Sequence, residues 1–238
     1  MIKRIFWGVF LLLPGLVPLG GCSLIHRSAC GWNVVLTGGD PSSGCAQLIT
    51  GHPAFQSLPT ATSPVKKPGF TVQLPQGKTW RVIRNETTGI AVASMGEHRD
   101  ESYVISAHSS NLPDLATPQA FKQFVDKERT KNTDPDRFTM LAKNEKLFNY
   151  GQRGALCLRY ETTAIDNHAH TAKSEYETMH ITNEGLVCRS PYDPHFGITV
   201  IYSYRYHPKD ADETLSSKFN QLISTLHFEP ISQKTRDD

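Results

Sequence analysis

Between Phe70 and Tyr206 the chain keeps returning to short runs of β-branched and aromatic residues cut by Gly, Asn and Asp, and this rhythm breaks only once. Runs of that kind fold as strands, because a half-buried strand presents an apolar side chain at every second position and the punctuating residues supply turn backbone. Phe70, Val72 and Leu74 alternate with polar residues, and further strands are expected over 79–84, 89–95 and 102–108. The break falls at Thr117-Pro118, a capping hydroxyl followed by an N1 proline, with Phe121, Phe124 and Val125 on one helical face through about Arg129. Strands resume over 138–150, 154–165, 172–181, 186–189 and 197–206, with turns expected at Gly151, Asp166-Asn167, Asn183-Glu184-Gly185 and 191–194. Leu215, Phe219, Leu222, Ile223 and Leu226 then recur at helical spacing behind Asp210 and Asp212, either of which suits the helix start. The expected class is α+β, an antiparallel sheet sandwich with two covering helices.

Charge adds an exclusion. The 25 basic residues nearly balance the 23 acidic ones, for a formal net charge of +2, and they are scattered along the chain. Nucleic-acid binders concentrate Lys and Arg on one face or stripe, so no nucleic-acid partner is expected.

The N-terminus carries an address. Lys3 and Arg4 precede an apolar run from Ile5 to Leu19 that closes on Leu19-Gly20-Gly21-Cys22. The run falls short of the ~20 apolar residues a bilayer core requires, and Pro14, Gly15 and Pro18 interrupt it, so an export signal fits better than a spanning helix. Leu, small, small, Cys resembles the lipobox of bacterial lipoproteins. That resemblance implies cleavage after residue 21 and a diacylglyceryl group on the Cys22 thiol. The protein would then be held at a membrane by two or more acyl chains. In the enterobacterial pattern an Asp after the Cys retains the protein at the inner membrane, so Ser23 implies the outer membrane, facing the periplasm.

Residues 1–21 are therefore expected to be signal and 22–67 a tether rich in Pro, Ser, Thr and Gly. Residues 68–230 make the globular domain and 231–238 a disordered tail. Of the five cysteines, Cys22 is taken by lipid, and Cys30, Cys45, Cys157 and Cys188 remain, an even number suited to an oxidising compartment. Three pairings are open. Chain order favours Cys30 with Cys45 and Cys157 with Cys188. A plain meander would oppose the second pair, since its strands would flank a third about 10 Å apart. No C-x-x-C spacing supports a metal site.

The order of elements resembles the PsbP-like fold, on the opening Phe70-Thr-Val-Gln-Leu-Pro and the closing segment from Phe219 to Phe228. The resemblance spans about 69–230. It implies a binding or assembly accessory without catalysis, and it brings no active-site residues.

Little of the remaining chain has the form of chemistry. His168 and His170 beside Asp166 have the residue types for zinc or copper, but they fall where a hairpin turn is expected and strand alternation fails there. Tyr192-Asp193-Pro194-His195, with His207 further on, has acid and base groups, yet its prolines first mark a rigid loop. Gly-x-Ser-x-Gly and phosphate-cradling glycine loops are both absent, and no cofactor is expected. Tyr202, Tyr204 and Tyr206 share one strand face with Ile198 and Val200, where ordinary sheet patterning makes them core in preference to a sugar or peptide platform. The functional expectation is a lipid-anchored periplasmic accessory, not an enzyme, that contacts an envelope protein or polymer. The alternative is a metal-binding protein or hydrolase using His168/His170 or His195/His207.

Overall fold

The computed structural model describes residues 53–231 except 78, 99, 132, 152 and 168–177. The expected signal, Cys22, the expected Cys30–Cys45 pairing, His168 and His170 all lie outside the described residues.

A single helical turn, Pro53–Gln56, leads into strands β1 (Val65–Lys67), β2 (Phe70–Val72), β3 (Arg81–Glu86), β4 (Gly89–Met95) and β5 (Ser102–Asn111). Helix α1 (Pro118–Lys131) follows, then β6 (Phe138–Tyr150), β7 (Ala155–Asp166), β8 (Met179–Arg189) and β9 (Phe196–Tyr206). A short 3-10 turn precedes helix α2 (Leu215–Ser224), and β10 (His227–Phe228) closes the order.

Seven strands form one antiparallel sheet in the order β3-β4-β5-β9-β8-β7-β6, and β1-β2-β10 form a small second one. The expected α+β class is thereby corrected: the described residues are mostly β, with ten strands in two antiparallel sheets against two helices longer than one turn. β1 and β10 are too brief to show alternation, and a mid-strand glycine makes the β8 sequence resemble two strands joined by a turn. Gly185 does not turn the chain: it lies within β8 directly opposite Tyr160. A side chain there would collide with the Tyr160 ring, so the glycine gives room to a cross-strand aromatic.

The same correction explains the disulfide. With β8 continuous, Cys157 and Cys188 are direct partners on neighbouring strands, their Cα atoms 4.0 Å apart, and they are bonded. No third strand intervenes.

Alternation divides the large sheet into two faces. On one, Ile105, Leu186, Val200 and the Cys157–Cys188 pair pack against the small sheet through Phe70 and Val72 and against α2 through Phe219 and Leu222. On the other, Leu158, Tyr160, Val187 and Ile201 receive Phe121 and Val125 of α1. Thr117 caps α1 as its residue type demands, accepting a hydrogen bond from the Ala120 backbone N–H at 3.1 Å. Residues 53–67, assigned from sequence to the tether, are in part built into the domain. Phe55 is buried against Ala93 and Val104, and Val65 joins the main core.

β6 is an edge strand, and its charges tie it to α1. Glu145 Oε2 lies 2.6 Å from Lys122 Nζ, while Oε1 lies 2.6 Å from both Arg129 Nη1 and Lys143 Nζ. Burial alone would raise the Glu145 pKa, but hydrogen bonds from Lys122, Lys143 and Arg129 outweigh it and bring the group from 4.5 down to about 2. A carboxylate lowered in the folded state contributes its stability in full above its ordinary pKa and loses it as pH falls toward the folded value. Because Lys143 is substantially exposed, the contribution is on the order of 1–2 kcal/mol after solvent screening. Urea unfolding at about pH 6 and about pH 2.5 should show Glu145→Gln losing less stability between the two than the parent, and equal losses would refute the assignment.

Candidate functional site

Where β9 ends, the chain turns through 207–214 into α2, while the β2–β3 connection and the β4–β5 turn rise on the other side. These pieces enclose a cleft of about 970 Å³. Its aromatic wall is Trp80, Tyr103, Tyr202 and Tyr204. The wall follows from strand pairing: Tyr103 on β5 is directly opposite Tyr204 on β9, with side chains on the same sheet face. The Tyr103 and Tyr204 rings stack at 4.5 Å, and Tyr202 meets Trp80 and Tyr103 edge to face at 6.1 Å. Offset stacking and edge contacts of this kind suit the ring quadrupoles and hold the rings rigid.

Acidic groups sit against this wall. Asp212 Oδ2 accepts from the Tyr103 hydroxyl at 3.0 Å and from Lys218 Nζ at 2.6 Å, while Oδ1 accepts from the Thr214 backbone N–H at 2.9 Å. Burial works to raise the Asp212 pKa, and the hydrogen bonds from Lys218 and Thr214 overcome it, so the group stays below the usual carboxylate range. Glu101 is almost wholly buried, at 2% exposure. Its Oε2 accepts from the His98 backbone N–H at 3.1 Å and its Oε1 lies 3.0 Å from the Tyr204 hydroxyl. That hydroxyl also faces Asp210 O at 2.6 Å, so one proton is shared between two acceptors.

All three wall tyrosines are held firmly as neutral phenols. Burial is the largest cause in each, and a carboxylate adds to it: Asp212 beside Tyr103 and Tyr202, Glu101 beside Tyr204. Tyr202 is 3% exposed, yet its hydroxyl has no hydrogen-bond partner among the described residues, and the side chain lines the cleft. A buried ring that leaves its polar tip at a cavity wall is a handle for something outside the protein.

The sequence-derived candidates are not gathered here. His195 lies in the exposed turn before β9 and His207 follows its last residue, so the two are separated by a whole strand, about 35 Å. They do not share a site. Among the described residues no group of three or more His, Cys, Asp and Glu side chains is placed to hold a metal ion. Tyr202, Tyr204 and Tyr206 are core, as sheet patterning indicated, but the first two also form the cleft wall. Trp80, Glu101, Tyr103 and Lys218 went unnoticed in the sequence. The available signal was phase: Glu101 and Tyr103 are two residues apart, the spacing that puts alternate positions on one side of an extended chain.

Fold and cleft together define a mostly β protein with an aromatic and acidic cavity at one end of its large sheet. No protein-family model and no curated protein matches the chain.

Proposed function

We propose that this is a lipid-anchored binding protein: Cys22 carries the acyl chains, the domain stands in the periplasm at the outer membrane, and the cleft takes part of an envelope protein or polymer. The single observation that carries the binding reading is the cleft itself. It is a rigid aromatic cavity of about 970 Å³ with an unclaimed hydroxyl in its wall. Ligand sites have this form, a concave, largely preformed surface with a few polar groups fixing orientation. The anchor reading rests on Leu19-Gly20-Gly21-Cys22 and on the oxidised Cys157–Cys188 pair, which suits an exported protein. Binding without catalysis accords with the engagement of the Asp212 carboxylate by Lys218 and Thr214, and with the separation of His195 from His207.

Two measurements test this. Cells grown with labelled palmitate should yield labelled protein in the outer-membrane fraction, and Cys22→Ala should abolish both label and membrane recovery. Label-free parent protein would end the anchor reading. A photo-crosslinking residue placed at Gln76, on the cleft rim, should give a discrete adduct in intact cells, whereas one at Lys127, on the exposed side of α1, should not. Equal yields at both positions would end the cleft reading.

A further inference from the structure

The described lining of the cleft is unevenly charged. Among its described lining residues, Glu97, Glu101, Asp210 and Asp212 stand against the single ammonium of Lys218. Lys218 is itself held by Asp212. Glu101 has no cationic partner among the described residues; its hydrogen bonds come from a backbone N–H and a phenol, both neutral. Burying a carboxylate without a counter-charge is costly, and the cost falls when a cation enters. Aromatic faces act in the same direction, since their quadrupole attracts positive charge.

The chain supplies its own precedent. The Lys218 ammonium rests 2.6 Å from an Asp212 oxygen and 5.1 Å from the centre of the Tyr103 ring, a cation held between a carboxylate and a phenol face. The same pair of components recurs as Glu101 with Tyr204, the phenol next to Tyr202 on the strand face, and there no cation is supplied among the described residues. Tyr202 adds a free hydroxyl that can accept from an N–H donor. Resting on the cleft reading above, we infer that the ligand is a protonated alkylamine whose ammonium group is drawn to the Glu101 side of the aromatic wall. Anionic ligands are repelled there, and neutral sugars gain nothing from the charge.

Calorimetric titration of the full mature chain with spermidine and, separately, with a trilysine peptide tests this. At least one is expected to bind at a single site with a dissociation constant below about 1 mM, weakening about tenfold or more in about 0.5 M salt. Tighter binding of spermidine identifies a free polyamine and tighter binding of trilysine a lysine side chain, and either supports the inference. Fully N-acetylated spermidine should bind at least about tenfold more weakly, because it keeps the chain length and loses the charge. Tyr202→Phe, which keeps the ring, and Glu101→Gln should each weaken amine binding about fivefold or more. If Glu101→Gln does not fold, by circular dichroism, Tyr202→Phe and the acetylated ligand carry the decision. No heat with either amine, or equal affinity for the acetylated ligand, overturns the inference. Adducts at Gln76 without amine binding would overturn it while leaving the cleft reading intact, whereas failure of both would end both.

Discussion

Asp166→Asn is expected to lower unfolding stability by about 3–5 kcal/mol, the cost of leaving buried charge without its partner. Asp166 is 1% exposed and receives two parallel hydrogen bonds from Arg137, Nε to Oδ1 and Nη2 to Oδ2, each 2.9 Å. Arg205 Nε stands 3.6 Å from the same carboxylate. Burial lowers the Arg205 pKa and the Asp166 charge pulls it back up, so the carboxylate serves two guanidinium groups at once. An Asn of the same shape removes the charge and keeps both cations buried. Urea unfolding would measure the loss. A matched triple variant, Asp166→Leu with Arg137→Met and Arg205→Met, should recover much of it, because replacing the whole buried charge cluster by apolar groups leaves no guanidinium without its carboxylate. A loss under about 1 kcal/mol for Asp166→Asn would show that solvent reaches the pair.

Removing the Cys157–Cys188 bond ranks next. The bonded residues are 31 apart in sequence, and the chain-entropy relation for a loop of that size gives about 3–4 kcal/mol. Both cysteines are wholly buried between the large sheet and the elements covering it, so Cys157→Ala with Cys188→Ala adds a small packing loss. Reduction of the parent protein isolates the cross-link itself. A midpoint shift in urea below that expected for about 1 kcal/mol would mean that the β7–β8 hairpin already constrains the unfolded chain.

How far the sequence revealed this architecture depends on what each element needs from its neighbours. Gly89–Met95 and Phe138–Tyr150 have the bounds expected from sequence, since glycine or proline-containing turns and β-branched or aromatic runs delimit them locally. Helix α1 was equally plain from Thr117-Pro118. Gly185 misled because a glycine that clears space for Tyr160 across the sheet looks, in one dimension, like a glycine that makes a turn. Val65–Lys67 and His227–Phe228 are strands only because β2 lies between them, and three or two residues carry no period. The cleft was still less legible. Trp80, Glu101, Tyr103, Tyr202 and Asp212 meet through the β5–β9 pairing, which joins two meanders across almost a hundred positions of sequence. What the local pattern did convey about Tyr202 and Tyr204 was that they would be buried; that one phenol tip would end at a cavity depends on what stands opposite.

β6 ends the seven-strand order, so one side of its backbone has no sheet neighbour among the described residues, a template onto which another chain can add. Its ladder with β7 shifts register between Met140 and Ala142, and Lys143, Glu145 and Lys146 follow the irregularity. Exposed Met140 and Leu141 sit at that interruption and not along a flat, unbroken margin. Crowding many copies together therefore does not offer, at this described edge, a long greasy border for stacking into fibrils.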